Sequence, residues 1–191
     1  MRQDDRHGVT VGRRGPAYSL VVTPPFERLL KVNPPACSVA VATPEDAAFL
    51  REMARHAATL EDRPLPAADA EAVTELVPAD VQDALVAVSA TGLRLGAAWL
   101  LDRRVPLVPT LPSAPEVCMA LAPDNRNRGV GTALLQAVIS RAAAQGHAAL
   151  VLNVHLRNTA ALRLYMKCGF RVAGAGRGWF GVALARTLLR V

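Results

Sequence analysis

Aromatic residues are scarce in this chain, at 4% of 191 positions, and only three residues are cysteine. Cys37, Cys118 and Cys168 are odd in number, widely spread and never arranged as C-x-x-C. That excludes a disulfide framework and a cysteine zinc site, and they read as reduced, partly buried thiols. His7, His56, His147 and His155 show no ligand spacing, so no metal is implied. No apolar run approaches the roughly 18 residues that a spanning helix needs, so no membrane segment is expected. Ala17 to Val22 falls short of the about 7–15 apolar residues of a signal h-region and ends at Thr23, Pro24 and Pro25, which predicts a cytoplasmic protein. There is also no Lys/Arg run of five or more. The net charge of +6 comes from 22 basic against 16 acidic residues, almost all the bases being Arg. A basic balance suits an anionic partner such as a phosphate or a charged cofactor. The bases are scattered rather than interleaved with aromatics, so nucleic acid is not expected.

What is present is a chain that is 51% hydrophobic and 20% charged. At this length it makes one domain of ordinary size. Residues 1–36 stand apart, with five prolines, six bases against three acids and no sustained periodicity. They read as a flexible N-terminal extension, and 37–191 as the folded domain.

From Cys37 the pattern becomes regular. Ser38 to Ala42 reads as a strand, and Thr43 caps a helix that has Pro44 at its first position and Glu45 and Asp46 in its first turn. Ala47, Leu50, Met53/Ala54 and Ala57 give that helix its apolar face. A second helix is expected over Ala67 to Leu76. Ala84 to Ser89 and Leu93 to Leu101 read as a hairpin around Thr91-Gly92. Arg103 to Pro115 carries four prolines and is expected to be irregular. Val117 to Leu121 is a strand, Gly129 to Gln145 a helix stopped by Gly146, and Leu150 to Val154 a strand. Asn158 to Cys168 is a helix ended by Gly169, and Phe170 to Ala173 and Trp179 to Leu188 close the chain as strands. Strands and helices alternate only in part, which predicts an α/β or α+β domain with a mixed sheet.

The stretch with most chemical content is Arg126-x-x-Gly129-x-Gly131 between a strand and a helix. Glycines there clear side chains from the unpaired N–H groups and partial positive charge of a helix start, where an anion can bind. The residue after Gly131 is Thr132 and no Lys follows, so this is not a P-loop; Leu134 stands where a dinucleotide fingerprint has its third glycine. Taken alone, the two glycines could equally form a tight turn ahead of an amphipathic helix.

A second block, Asn158-x-x-Ala161-x-x-Leu164-Tyr165-x-Lys167-x-Gly169-Phe170, lies one strand further on. Together the two resemble the GNAT superfamily of acetyl-CoA-dependent N-acetyltransferases. The first is similar to that family's [Q/R]-x-x-G-x-[G/A] pyrophosphate loop, the second to its N-x-x-A-x-x-L-Y-x-K-x-G-F segment. Ala42 to Met53 resembles the family's opening and Leu95 to Leu100 its third strand, so the likeness covers Cys37 to Val191. It implies a mixed, mostly antiparallel sheet of six to seven strands with about four helices, splayed at the cofactor-binding strand.

The resemblance also implies roles. Met119 and Leu121 would hold pantetheine through main-chain atoms, one N–H serving as oxyanion donor. Arg126, Asn127, Arg128, Gly129, Val130, Gly131 and Thr132 would hold the pyrophosphate. Asn158 would contact the cofactor, although capping its helix is reason enough for Asn there. Lys167 reads as a solvated helix-end cation near the adenosine phosphate. Tyr165 would be the general acid for the departing thiolate, its alternative being an aromatic packed on the sheet. Glu116 would be the base acting through water, its alternative being a solvated strand-end glutamate. Ala40 replaces the family's usual basic residue in the first strand.

No cysteine is placed as an acyl carrier, so direct transfer to the amine is expected. The expected co-substrate is acetyl-CoA, without a metal. The acceptor is a small-molecule amine first and a protein N-terminus or lysine second. A non-catalytic acyl-CoA-binding module is the alternative of a different class. The acceptor's identity is open, and a homodimer is compatible with the resemblance.

Overall fold

The computed structural model describes residues 37–60 and 63–188. The expected extension over 1–36 lies outside them. Seven strands form one open sheet in the order β1-β2-β3-β4-β5-β7-β6. They are β1 Cys37–Val41, β2 Leu85–Ser89, β3 Arg94–Leu101, β4 Glu116–Leu121, β5 Ala149–His155, β6 Arg171–Ala175 and β7 Gly181–Thr187. Every neighbouring pair is antiparallel except β4 with β5. The helices are α1 Ala47–Ala57, α2 Glu71–Thr74, α3 Val130–Ala144 and α4 Thr159–Lys167. This is the mixed sheet that the pattern predicts, mostly antiparallel as the resemblance implies.

Two apolar layers sandwich the sheet. On one face Leu134, Leu135, Val138 and Ala142 of α3 meet Ala98, Leu150, Leu152 and Leu184, with Tyr165 and Phe170 completing the layer. On the other, Leu50, Met53 and Ala54 of α1 and Val73 of α2 cover Ala97, Trp99, Cys118 and Ala120. The irregular 103–115 segment extends this second layer across the far strands, packing Val108 on Val151 and Ala183. Alternation at Ala97, Ala98 and Trp99 follows from the two-residue repeat of a strand.

The first helix starts as its residues dictate. Thr43 and Asp46 form a capping box at a 3-10 turn, Pro44–Asp46, that runs into α1. The Asp46 carboxylate takes the Thr43 amide at 2.8 Å and is paired with Arg94 of β3. Burial pushes this carboxyl upward, but the Thr43 amide and the Arg94 guanidinium outweigh it and hold it below the usual range. Because the folded value lies below the unfolded one, near 3.9, the stabilisation is complete above about pH 4 and is lost as pH falls through the folded value. Urea unfolding of wild type against Asp46→Asn should therefore show a gap at pH 7 that closes below about pH 4.

The second helix is much shorter than expected. Ala67 to Leu76 reduces to the single turn Glu71–Thr74. Thr74 Oγ1 donates to the Glu71 carbonyl at 3.0 Å, so the side chain competes for the backbone. The Leu76 carbonyl is taken by the buried Trp99 indole at 2.9 Å. Tertiary contact and the preceding prolines thus override a helix-like apolar spacing. Smaller shifts occur at the end of the chain: β6 begins at Arg171 and runs to Ala175, and β7 begins at Gly181, because Trp179 and Phe180 lie in the turn.

Candidate functional site

The sheet divides where β4 and β5 run parallel. Their ladder consists of one pair, Glu116 with Val151, beside a Val151 N–H donated to the Pro115 carbonyl at 3.1 Å. On the other edge of β4, pairing with β3 continues from Glu116 to Leu121. Main-chain groups of alternate residues point to opposite edges of a strand. Pro115 bonds towards β5, while the Ala122 N–H bonds towards β3 at the Leu95 carbonyl, 3.0 Å away. By parity Met119 and Leu121 therefore direct their N–H and C=O groups into the fork, where the ladder offers no strand partner. Their side chains are half-buried against the α3 layer, as core packing requires.

At the end of β4 the chain makes a 3-10 turn, Pro123–Asn125, and enters α3 through two left-handed residues, Asn127 at φ 60° and Gly129 at φ 82°. No side chain caps α3 at Gly129, so the Val130, Gly131 and Thr132 amides of its first turn are left for an external acceptor. Gly131 has a packing reason as well: a Cβ there would stand 3.1 Å from Leu164 Cδ2 and 3.4 Å from Leu121 Cδ1. The bare backbone lets α4 close on both the start of α3 and the fork. Arg128 is exposed. Arg126 lies within electrostatic reach of His56 on α1, whose pKa is lowered first by burial and also by this arginine.

Asn158 is the cap of α4, its Oδ1 accepting the Ala161 N–H at 3.1 Å. Seven residues on, Tyr165 is buried in the α3 layer with its ring 6.1 Å from that of Phe170. Among the described residues its hydroxyl has no hydrogen-bond partner. Burial, with a smaller contribution from Cys118 on β4, pushes the phenol well above its ordinary value, so it stays protonated through neutral pH. The same burial pushes the Cys118 thiol up, with Glu116 adding to it. A thiol so held is a poor nucleophile at neutral pH. Lys167 ends α4.

Glu116 is not a solvated strand-end residue. It is 6% exposed and its Oε2 accepts from Arg177 Nη1 at 2.5 Å. Arg103 Nε stands 3.5 Å from the same oxygen, and Arg103 Nη1 stands 3.5 Å from Glu75. Sequence reasoning missed both arginines and Asn153, which accepts the Arg177 amide at 2.9 Å. The available signal was the Gly176-Arg177-Gly178 tripeptide in the β6–β7 turn. Its partner, 61 residues earlier, is set by the sheet order rather than by any local spacing.

Among the described residues no group of three or more His, Cys, Asp or Glu could hold a metal ion, and no helix is long and apolar enough to cross a membrane.

Residues 61–170, more than half of the chain, match the model of the acetyltransferase (GNAT) family. A 73-residue stretch is 47% identical to a bifunctional glutamine synthetase adenylyltransferase/adenylyl-removing enzyme of Stenotrophomonas maltophilia, covering 38% of this chain and 8% of that protein. A 51-residue stretch is 41% identical to the L-methionine sulfoximine/L-methionine sulfone acetyltransferase of Pseudomonas paraeruginosa, covering 27% and 30%. The chain thus spans under a third of either relative. In fold it is similar to a GNAT superfamily phosphinothricin acetyltransferase from Sinorhizobium meliloti solved with AcCoA, at 19% identity and a TM-score of 0.60, over 80% of this chain and 89% of that one.

Proposed function

This chain belongs to the GNAT family of acetyltransferases, and we propose that it passes the acetyl group of acetyl-CoA directly to the amine of a small molecule. The fork between β4 and β5, opening beside an uncapped helix start, is the observation that carries this reading. It offers a row of main-chain donors and acceptors leading to a cluster of free amides. A chain of amides ending in a pyrophosphate is the complement of that surface.

In this reading Met119 and Leu121 bind the pantetheine amides through their main chain, and one of their N–H groups stabilises the charge that develops on the thioester oxygen. Arg126 to Thr132 hold the pyrophosphate, with Arg126 and Arg128 supplying charge. Asn158 faces the co-substrate with what its cap leaves free, and Lys167 lies towards the adenosine phosphate. The amine nitrogen attacks the thioester carbon and its proton passes through water to Glu116. The carbon–sulfur bond breaks, and the departing sulfur takes the Tyr165 proton. Burial disfavours a thiolate as it does a phenolate, so the transfer is better matched here than in water. The suppressed ionisation of Cys118 supports direct attack over an acyl-enzyme.

The test needs no knowledge of the acceptor. Acetyl-CoA at about 100 times its Kd should stabilise the fold by roughly 2.7 kcal/mol, seen as a rise in Tm that ATP and NAD do not reproduce. Amines are then screened for release of the CoA thiol. No rise in Tm at millimolar acetyl-CoA overturns the proposal.

A further inference from the structure

Resting on the proposal that a small amine is acetylated, we further propose that this amine also carries a carboxylate, and that Arg177, with Arg103 behind it, recognises that group. Glu75, Arg103, Glu116 and Arg177 stand in file with alternating charge. The file lies against the buried end of the β4–β5 ladder, where Glu116 pairs with Val151. An acceptor whose ammonium approaches Glu116 meets the guanidiniums that flank it. A polyamine brings further positive charge to those groups and is repelled. A zwitterion places its ammonium on Glu116 and its carboxylate on Arg177.

Arg177 has the free donors this requires. Its Nη1 is committed to Glu116, while among the described residues Nε and Nη2 have no partner, and 42% of the side chain is open to solvent. A guanidinium fork matches a carboxylate with two parallel bonds, which a lysine ammonium cannot. Arg103 Nε is sealed from solvent and stands 3.5 Å from the same Glu116 oxygen without completing a hydrogen bond, so it adds charge behind Glu116 rather than a reachable donor. Two guanidiniums therefore share the Glu116 carboxylate, and the exposed fork of Arg177 keeps donors that a second carboxylate can take.

The position of Arg177 is built rather than incidental. Its amide is tied to Asn153 Oδ1. A side chain at Gly176 would run into that same oxygen, and one at Gly181 into the Arg177 carbonyl. The turn between β6 and β7 is thus held in the one shape that brings this guanidinium to Glu116.

The test is a panel of the common L-amino acids, their carboxamides, their decarboxylated amines and spermidine, read as CoA-thiol release and compared as kcat/KM for the neutral amine. Wild type should favour the best carboxylate acceptors over their carboxamides by roughly 10- to 100-fold, the span of one charge-assisted bond. Arg177→Ala should collapse that ratio towards one, chiefly through KM, and Arg177→Lys should recover part of it. A wild-type ratio at or below one, a preference for spermidine, or a ratio that survives Arg177→Ala overturns the carboxylate assignment and leaves acetyl transfer standing. If no amine releases thiol while acetyl-CoA still raises Tm, the transfer reading itself fails, and this one with it.

Discussion

Replacing Tyr165 by Phe is expected to lower kcat for acetyl transfer by roughly two to four orders of magnitude, the usual worth of a positioned general acid, and to leave the melting shift with acetyl-CoA intact. The substitution removes one oxygen and keeps the ring that packs on Phe170, so the fold should tolerate it. No described residue bonds the hydroxyl, so among those residues no hydrogen bond is lost with it. Its proton is retained through neutral pH because burial opposes the phenolate. Tyr165 therefore contributes no falling limb to the pH–rate profile below about pH 10. Single-turnover rates with wild type and variant, at saturating acetyl-CoA, make the comparison. Equal rates would sink the general-acid role and favour an acyl-CoA-binding module that does no chemistry.

The parts of this fold legible in the sequence are those fixed by neighbours in the chain. Thr43, Pro44 and Asp46 mark the start of the first helix because a capping box is complete within four residues. The apolar repeat of α3 and the Gly129 entry are equally local. The fork was reachable only through the resemblance, since nothing in Val117 to Leu121 itself says that one edge stays unpaired. Residues joined across the sheet were not legible. Glu116 reads as a strand-end glutamate until β5 and β7 bring Asn153 and Arg177 over it. The same holds for Ala67 to Leu76, whose apolar spacing suits a helix until the Trp99 indole takes the Leu76 carbonyl. The glycine loop and helix start of the candidate site are thus written in contiguous motifs, while the surroundings of Glu116 depend on side chains drawn from separate segments of the chain.

The second large effect concerns Glu116→Gln, which keeps the shape of the side chain and removes its charge. Breaking a fully buried ion pair costs about 3–5 kcal/mol because the partner is left uncompensated. Arg177 is partly open to water, so a loss nearer 1–2 kcal/mol is expected here from urea unfolding. The kinetic consequence separates two roles. An acceptor amine of pKa near 10.4 is neutral in only about one part in 2,500 at pH 7, whereas one near 8 is neutral in about one part in ten. If Glu116 takes the proton, the variant should lose roughly 10²- to 10⁴-fold in kcat/KM. The loss should be greatest for the most basic amines and should shrink as the pH approaches each amine's own pKa. If Glu116 only anchors Arg177, the loss should be uniform across amines of different basicity, indifferent to pH, and matched by Arg177→Ala. A kcat/KM series over amines of graded pKa, repeated from pH 7 upward, decides between a carboxylate that moves a proton and one that holds a guanidinium in place.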